Sequence, residues 1–161
     1  KHWTTCYGNN MPFATRYQHG KALESRIWQE LETLNTKHPN GFLVRLHVLG
    51  DFYSTEYVDL WERALESFDA LHVYGYTARY VTDKIGNAIN NIKQLYPTRF
   101  RIRWSGQYTQ DSALSADEDK AQSLLAQNEA FMCPEQLGKV DSCADCGACW
   151  NGRKPVLFST H

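Results

Sequence analysis

The stretch FLVRLHVL at residues 42–49, together with LHVYGYT at 71–77 and RFRIRW at 99–104, decides the fold. Each stretch is short, rich in β-branched and aromatic residues and close to turn-forming glycine, proline or aspartate, which is typical of a β-strand. The two segments between them carry apolar residues at helical spacing. Residues 42–105 are therefore predicted to form a β-α-β-α-β unit with parallel strands and right-handed crossovers.

The rest of the chain extends this alternation. Apolar residues at helical spacing predict a first helix over residues 20–37. Ser54 is the predicted N-cap of the second helix and Thr82 that of the third. A short helix is expected within residues 115–128, and residues 156–160 are expected to add a last strand.

The three main strands are polar on one face. Period-2 geometry separates their apolar residues from histidine, tyrosine and arginine side chains on the opposite face. Those polar residues are Arg45, His47, His72, Tyr74, Tyr76, Arg99, Arg101 and Arg103. The sequence therefore predicts an α/β fold with an open, mainly parallel sheet of three to four strands, resembling a partial (β/α) barrel with a functional concave face. The alternative is a solvated face on which arginines pair with carboxylates.

Composition and charge indicate the class of protein. The chain has 161 residues, 42% of them apolar and 22% charged, with a net charge of −1. These values predict one globular domain over residues 1–161, with a loop over residues 1–18. No apolar run is long enough to span a membrane. The absence of a basic excess speaks against broad, non-specific binding of nucleic acid.

The cysteines predict a metal centre. Cys143, Cys146 and Cys149 form a C-x2-C-x2-C run, the spacing with which bacterial ferredoxins hold iron–sulfur clusters. Cys133 precedes a proline and is the predicted fourth ligand, with Cys6 as the alternative. Four of the five cysteines fall in the last 29 residues, whereas a secreted disulfide scaffold would spread an even number through the chain, so a reducing, cytoplasmic compartment is expected. We therefore predict that the cysteine-rich segment 130–151 binds a [4Fe-4S] cluster.

Two other metal chemistries remain open. Structural zinc is commonly held by two separated cysteine or histidine pairs, and a cysteine triplet is less usual there. A radical S-adenosylmethionine enzyme also has a partial (β/α) barrel, but its three-cysteine motif has a different spacing and lies near the N-terminus. A fourth cysteine would close the cluster and favour a structural or electron-transfer role over a redox or radical enzyme.

Several of these sequence features resemble the phage gene product 88 family. They are Cys6-Tyr7, VRLHVLGDFYS at residues 44–54, Glu56-Tyr57, Trp61, YGYT at 74–77, Cys133-Pro134, the cysteine triplet and Trp150. The resemblance implies a viral protein of the host cytoplasm with a metal centre. It implies no particular reaction.

Polar residues near the strand ends are further candidates for a site. Asp51 and Arg79 follow the first two strands, where parallel sheets place their ligands. Asp51 is interpreted as a general base, an acceptor for a ligand hydroxyl or part of a turn. Arg101 and Arg103 are candidates for binding a phosphate or carboxylate. With Arg99 they would grip a nucleic-acid backbone, so the expected partner is nucleic acid or a host protein.

Overall fold

The computed structural model describes residue 13 and residues 15–159. The helices are Lys21–Lys37 (α1), Thr55–Ser67 (α2), Lys84–Leu95 (α3), Asp119–Ala126 (α4), Cys143–Cys146 (α5) and Ala148–Asn151 (α6). The strands are Phe42–Leu46 (β1), Leu71–Thr77 (β2), Phe100–Ser105 (β3), Ser112–Ser115 (β4), Phe131–Met132 (β5) and Val156–Phe158 (β6). The predicted α/β class is confirmed. The loop predicted for residues 1–18 falls mostly outside the described residues.

The strands form one open, all-parallel sheet in the order β1-β2-β3-β4-β6-β5. Six strands are found in the described part of the chain, so the prediction of three to four was wrong. The strands that it missed, β4 and β5, have four and two residues. Segments this short cannot display the alternation by which a strand is recognised in sequence. No helix among the described residues is long and apolar enough to cross a bilayer.

Two local predictions need correction. The first strand ends at Leu46 instead of continuing to residue 49, because His47 adopts the left-handed conformation with a φ of 53°. Helix α3 is capped by Asp83, whose carboxylate accepts the Gly86 N–H at 2.6 Å, and not by Thr82. The predicted cap of α2 is correct, since the Ser54 hydroxyl accepts the Tyr57 N–H at 3.2 Å.

All four longer helices cover the same face of the sheet. The register aligns Val73 with Phe100, and these residues pack with Leu31, Trp61 and Ile89 from α1, α2 and α3. A smaller cluster joins α4 to β4 and β6 through the buried side chains of Leu114, Ala121 and Leu157. The register from β3 to β4 keeps Leu114 on the Trp104 side, which is the helix side.

The opposite face carries the polar residues of the first three strands, β1, β2 and β3. Register pairs Arg45 with Tyr74, Tyr74 with Arg101, and Tyr76 with Arg103. Because side chains alternate along a strand, these five residues project away from the helices. The cysteine segment lies on this polar face, which therefore forms the candidate site.

Candidate metal centre

The cysteine triplet occupies two short helical turns. Cys143 and Cys146 begin and end α5, and Cys149 lies in α6. The Ser142 hydroxyl caps α5 by accepting the Asp145 N–H at 3.2 Å. Gly147 separates the turns with a φ of 64°, and a Cβ at this position would lie 2.8 Å from the Asn151 Nδ2 atom. Glycine at this position lets the chain reverse direction between the second and third cysteine.

Cys133 reaches the same face from the sheet. It directly follows β5, and its N–H donates to the Leu157 carbonyl at 2.9 Å, which extends the pairing with β6. Its side chain is buried against Ala113 and Val156. The thiols of Cys133, Cys143, Cys146 and Cys149 are all free of disulfides.

Two of the four cysteines, Cys143 and Cys149, have a raised pKa to which neighbouring thiols contribute. Burial raises the pKa of Cys143, and the Cys133 and Cys146 thiols raise it further. Burial likewise raises the pKa of Cys149, and the Cys133 and Cys143 thiols add to that shift. Two cations oppose these effects, since Arg45 lowers the pKa of Cys143 and Arg103 lowers that of Cys149.

The thiols do not converge on a single ion position. Among residue 13 and residues 15–159, no three or more His, Cys, Asp or Glu side chains are grouped closely enough to hold a metal ion. Cys6, the alternative fourth ligand, lies outside the described residues.

Two tyrosines connect the sheet to the cysteine segment. The Tyr76 hydroxyl donates a hydrogen bond to the Cys149 Sγ atom at 2.8 Å. The Tyr74 ring lies 4.7 Å from the Trp150 ring, measured between centroids. Trp150 is half-buried in this contact, next to the third cysteine of the triplet.

Arg103 clamps the cysteine segment to the sheet. It is 2% exposed, and each of its five N–H groups points at a backbone carbonyl. The acceptors are the carbonyls of Cys149 at 2.9 Å, Lys154 and Gly152 at 3.0 Å, Ala148 at 3.3 Å and Ser112 at 3.4 Å. Two of these five acceptors, Ala148 and Cys149, belong to the cysteine-rich segment 130–151, and Gly152 and Lys154 follow it directly, so the guanidinium holds α6 and the residues after it.

Two more arginines, Arg101 in β3 and Arg99 just before it, also donate hydrogen bonds to backbone carbonyls of this chain. Arg101 donates to the Trp150 carbonyl at 3.1 Å and to the Gly152 carbonyl at 3.0 Å. Arg99 donates to carbonyls at the end of α2, including that of Leu65 at 2.9 Å. Helix ends leave carbonyls without partners and carry partial negative charge, which explains why guanidinium groups gather there. The structure therefore gives these arginines carbonyl partners where the sequence predicted a phosphate or carboxylate ligand.

Asp51 and Arg79 tie together the loops at the carboxyl ends of the strands. Asp51 accepts the Phe52 N–H and the Thr77 hydroxyl at 2.7 Å each, and the Ala78 N–H at 2.8 Å. Arg79 donates from Nε to the Phe52 carbonyl at 2.7 Å. Of the three interpretations of Asp51, this geometry matches the turn.

The comparisons with known proteins agree with the resemblance in the sequence. The family model described as "Gene product 88" matches residues 9–152. The chain belongs to the gene product 88 family. The chain is similar to the "Gene 88 protein" of Mycobacterium phage D29, with 29% identity over 132 residues, covering 73% of this chain and 55% of the relative. The "Gene 88 protein" of Mycobacterium phage L5 is 28% identical over 134 residues, covering 73% and 54%.

This gene product 88 family chain spans about half the length of the curated relatives it matches. No solved structure matches it.

Two features of the site in this family member were not recognised in the sequence. The cap of α5 had a signal, because a serine three residues before an acidic residue is a common helix start. The hydrogen bond from Tyr76 to Cys149 had no such signal, because 73 positions separate the two residues. The sequence alternation indicated only that Tyr76 lies on the polar face.

His47 is a further ionisable group, predicted from the sequence only as part of the polar face of the first strand. Its Nε2 atom lies 3.3 Å from the Tyr57 hydroxyl, and its ring packs edge-on against Phe52 with centroids 4.5 Å apart. Burial lowers the pKa of His47 to about 4, while the Asp51 carboxylate acts in the opposite direction. The folded protein therefore favours the neutral imidazole.

Acid is expected to destabilise the protein through His47. The imidazole takes up a proton near pH 6.5 in the unfolded chain but only near pH 4 in the folded protein, so stability falls as the pH drops through this interval. Between pH 7.5 and 4.5 this one group is expected to contribute a loss of about 2 to 3 kcal/mol. Urea denaturation at several pH values measures the loss.

The His47→Asn variant is expected to remove that part of the pH dependence, because asparagine tolerates the left-handed backbone. His72→Asn, at an exposed position of β2, is the matched control and should leave the slope unchanged. Parallel pH profiles for the wild type and His47→Asn would contradict the assignment.

Proposed function

We propose that this chain is a bacteriophage iron–sulfur protein of the host cytoplasm, with one [4Fe-4S] cluster held by Cys133, Cys143, Cys146 and Cys149. The observation that carries the proposal is the placement of Cys133. It comes from the end of β5, yet its thiol acts electrostatically on both Cys143 and Cys149. In this proposal the four soft ligands, from two parts of the chain, come together when the thiols close around the cluster.

The surroundings of the thiols suit a buried anionic centre. A cluster ligated by thiolates is negatively charged, and burial of negative charge requires nearby cations or hydrogen-bond donors. Arg45, Arg103 and the Tyr76 hydroxyl provide them. The same four cysteines are the alternative ligand set for structural zinc. The triplet spacing favours the cluster, because iron–sulfur proteins use C-x2-C-x2-C directly.

The cluster would be closed by its fourth cysteine, which favours a structural or electron-transfer centre. The alternative is a redox or radical S-adenosylmethionine-like enzyme that uses the concave face of a partial (β/α) barrel. The helices cover one face of the sheet, and the cysteine segment packs against part of the other. This arrangement is compatible with a partial barrel, but the cysteine segment then occupies the face on which a substrate would bind.

A host protein is favoured over nucleic acid as the partner. The net charge is −1, and phosphate binding normally requires a local excess of arginine and lysine. Arg99, Arg101 and Arg103 are engaged with backbone carbonyls. A nucleic-acid partner would have to be bound by other cations, and its affinity would fall steeply with added salt.

Serine substitution of single cysteines tests the ligand set. Cys143→Ser, Cys146→Ser, Cys149→Ser and Cys133→Ser are each expected to lose most of the cluster absorption, because serine removes a soft thiolate ligand. Cys6→Ser is the control and should keep it. If Cys6→Ser alone bleaches the protein and Cys133→Ser does not, the assignment of the fourth ligand is wrong. Addition of S-adenosylmethionine to the reduced wild type should leave the cluster spectrum unchanged.

A further inference from the structure

A cavity of about 320 Å³ lies beside β3, on the side where β4 begins. Strand β4 starts opposite Trp104, so residues 100–103 of β3 have no strand beside them on this side in the described part of the chain. Helix α3 and the loop before β4 line the gap instead. Small-molecule sites begin at about 300 Å³, so the space is large enough to hold a ligand.

The volume and the walls restrict what the cavity can hold. A water molecule occupies about 30 Å³ in the liquid, so there is room for on the order of ten non-hydrogen atoms. A whole nucleotide would not fit inside. Val81, Pro97 and Trp104 make part of the wall apolar. The space therefore suits a small molecule with an apolar body.

Lys93 of α3 brings a half-buried positive charge to the cavity. Its ammonium donates to the Ile102 carbonyl at 2.8 Å and to the Asp111 Oδ2 atom at 2.9 Å, and it lies 5.1 Å from the centre of the Trp104 ring. An ammonium has three N–H groups, so one of them has no acceptor among the described residues. Burial lowers the pKa of Lys93, while Asp111 raises it. An anion that accepted the third N–H would reduce the cost of burying this charge.

The walls of the cavity carry one positive charge in excess. Arg101 lines it together with Lys93, and these two cations face a single carboxylate, that of Asp111. Three of the five N–H groups of Arg101 donate to the carbonyls of Pro97, Trp150 and Gly152, which leaves two for a ligand. A carboxylate, with one negative charge, balances the excess better than a phosphate monoester, which carries about −1.5 to −2.

We propose that this cavity binds a small monocarboxylic acid, whose carboxylate accepts hydrogen bonds from the Lys93 ammonium and the Arg101 guanidinium. The apolar body of the acid lies against Pro97 and Trp104. Among the described residues no thiol lines the cavity, so the inference is independent of the proposed cluster.

Titration of the full chain with sodium benzoate, followed by backbone amide chemical shifts, tests the site. Benzoate combines one carboxylate with an apolar ring that fits the volume, and benzamide is its uncharged isostere. We expect a Kd on the order of 1 mM for benzoate, because so small a ligand makes few contacts. Benzamide should bind at least about tenfold more weakly, since it lacks the charge-assisted hydrogen bonds. Inorganic phosphate should also bind more weakly than benzoate.

Two variants change the charge of the cavity in opposite directions. Asp111→Asn keeps the size of the side chain and an acceptor for Lys93 but removes the negative charge, so benzoate is expected to bind about five- to tenfold more tightly. Lys93→Met should weaken benzoate binding by at least about tenfold. Lys84→Met, at the exposed first residue of α3, is the matched control and should leave the Kd unchanged.

A gain in affinity cannot come from a loss of folding, so Asp111→Asn decides the matter even if Lys93→Met does not fold. Absence of benzoate-dependent shifts in α3 and residues 107–111 of the wild type would overturn the proposal. Equal affinities of the wild type and Asp111→Asn, or of benzoate and benzamide, would also overturn it. Tighter binding of phosphate than of benzoate would refute the assignment to a monocarboxylic acid.

Discussion

Replacing Arg103 with methionine is expected to lower the free energy of unfolding by about 3 to 5 kcal/mol, because the change leaves the part-buried carbonyls of Cys149 and Lys154 without a donor. Methionine has a similar length and keeps the packing of the aliphatic part. The carbonyls of Cys149 and Lys154 receive their bonds from Arg103. Urea denaturation of the cluster-free protein measures the loss directly.

Two further variants identify the origin of the effect. Arg103→Lys keeps the charge but has three donors on one nitrogen, so it should recover only part of the stability. Arg63→Met is the matched control, since Arg63 is exposed and makes one long bond to the Asp59 carbonyl at 3.4 Å. A loss below about 1 kcal/mol for Arg103→Met would show that the clamp does not stabilise the fold.

Removing the proposed cluster is expected to expose the chain between Cys133 and Gly147 to protease. This part has few large apolar side chains, and one of them, Leu137, is 45% exposed. Such a segment cannot offset the entropy of its own ordering, at about 1 to 2 kcal/mol per residue. Metal–thiolate bonds would supply the missing free energy. The Arg101 and Arg103 contacts hold the residues from Ala148 onward, so the exposed region should end before α6.

Limited proteolysis with trypsin measures this exposure. Lys139 lies within the exposed region, and cleavage after it should become at least about tenfold faster when a chelator removes the metal, which corresponds to about 1.4 kcal/mol of lost local stability. Cleavage after Lys93, in α3, is the internal control and should stay slow in both forms. Equal rates at Lys139 with and without metal would mean that the metal does not order the segment. A redox or catalytic role would then explain the metal better.

The part of the fold that could be predicted is the part with long, regular patterns. Strand β2 was predicted with its observed bounds, and α2 with its Ser54 cap, because seven and thirteen residues are enough to display a period. Strands β4 and β5 exist through pairing with distant residues, such as Leu114 with Leu157. Their own sequences contain too few residues to indicate this, and the size of the sheet was therefore underestimated.

In the candidate site, too, the local features could be predicted from the sequence and the long-range contacts could not. The cysteine spacing is a local feature and was found in the sequence. The partners of Arg103 were not, because four of its five carbonyls lie 45 to 51 positions away. The sequence alone does not distinguish a buried arginine that binds a phosphate from one that binds a carboxylate or the end of a helix. Only the placement of α6 on β3 decides among them.

The metal content of anaerobically purified full chain tests the central claim most directly. Iron, acid-labile sulfide and zinc are measured on the same sample, together with the absorption spectrum. The account predicts brown protein with about four iron and about four sulfide per chain and broad absorption near ~400 nm from thiolate-to-iron charge transfer. Colourless protein with about one tightly held zinc and no sulfide would contradict it and would make the cysteine segment a structural zinc site.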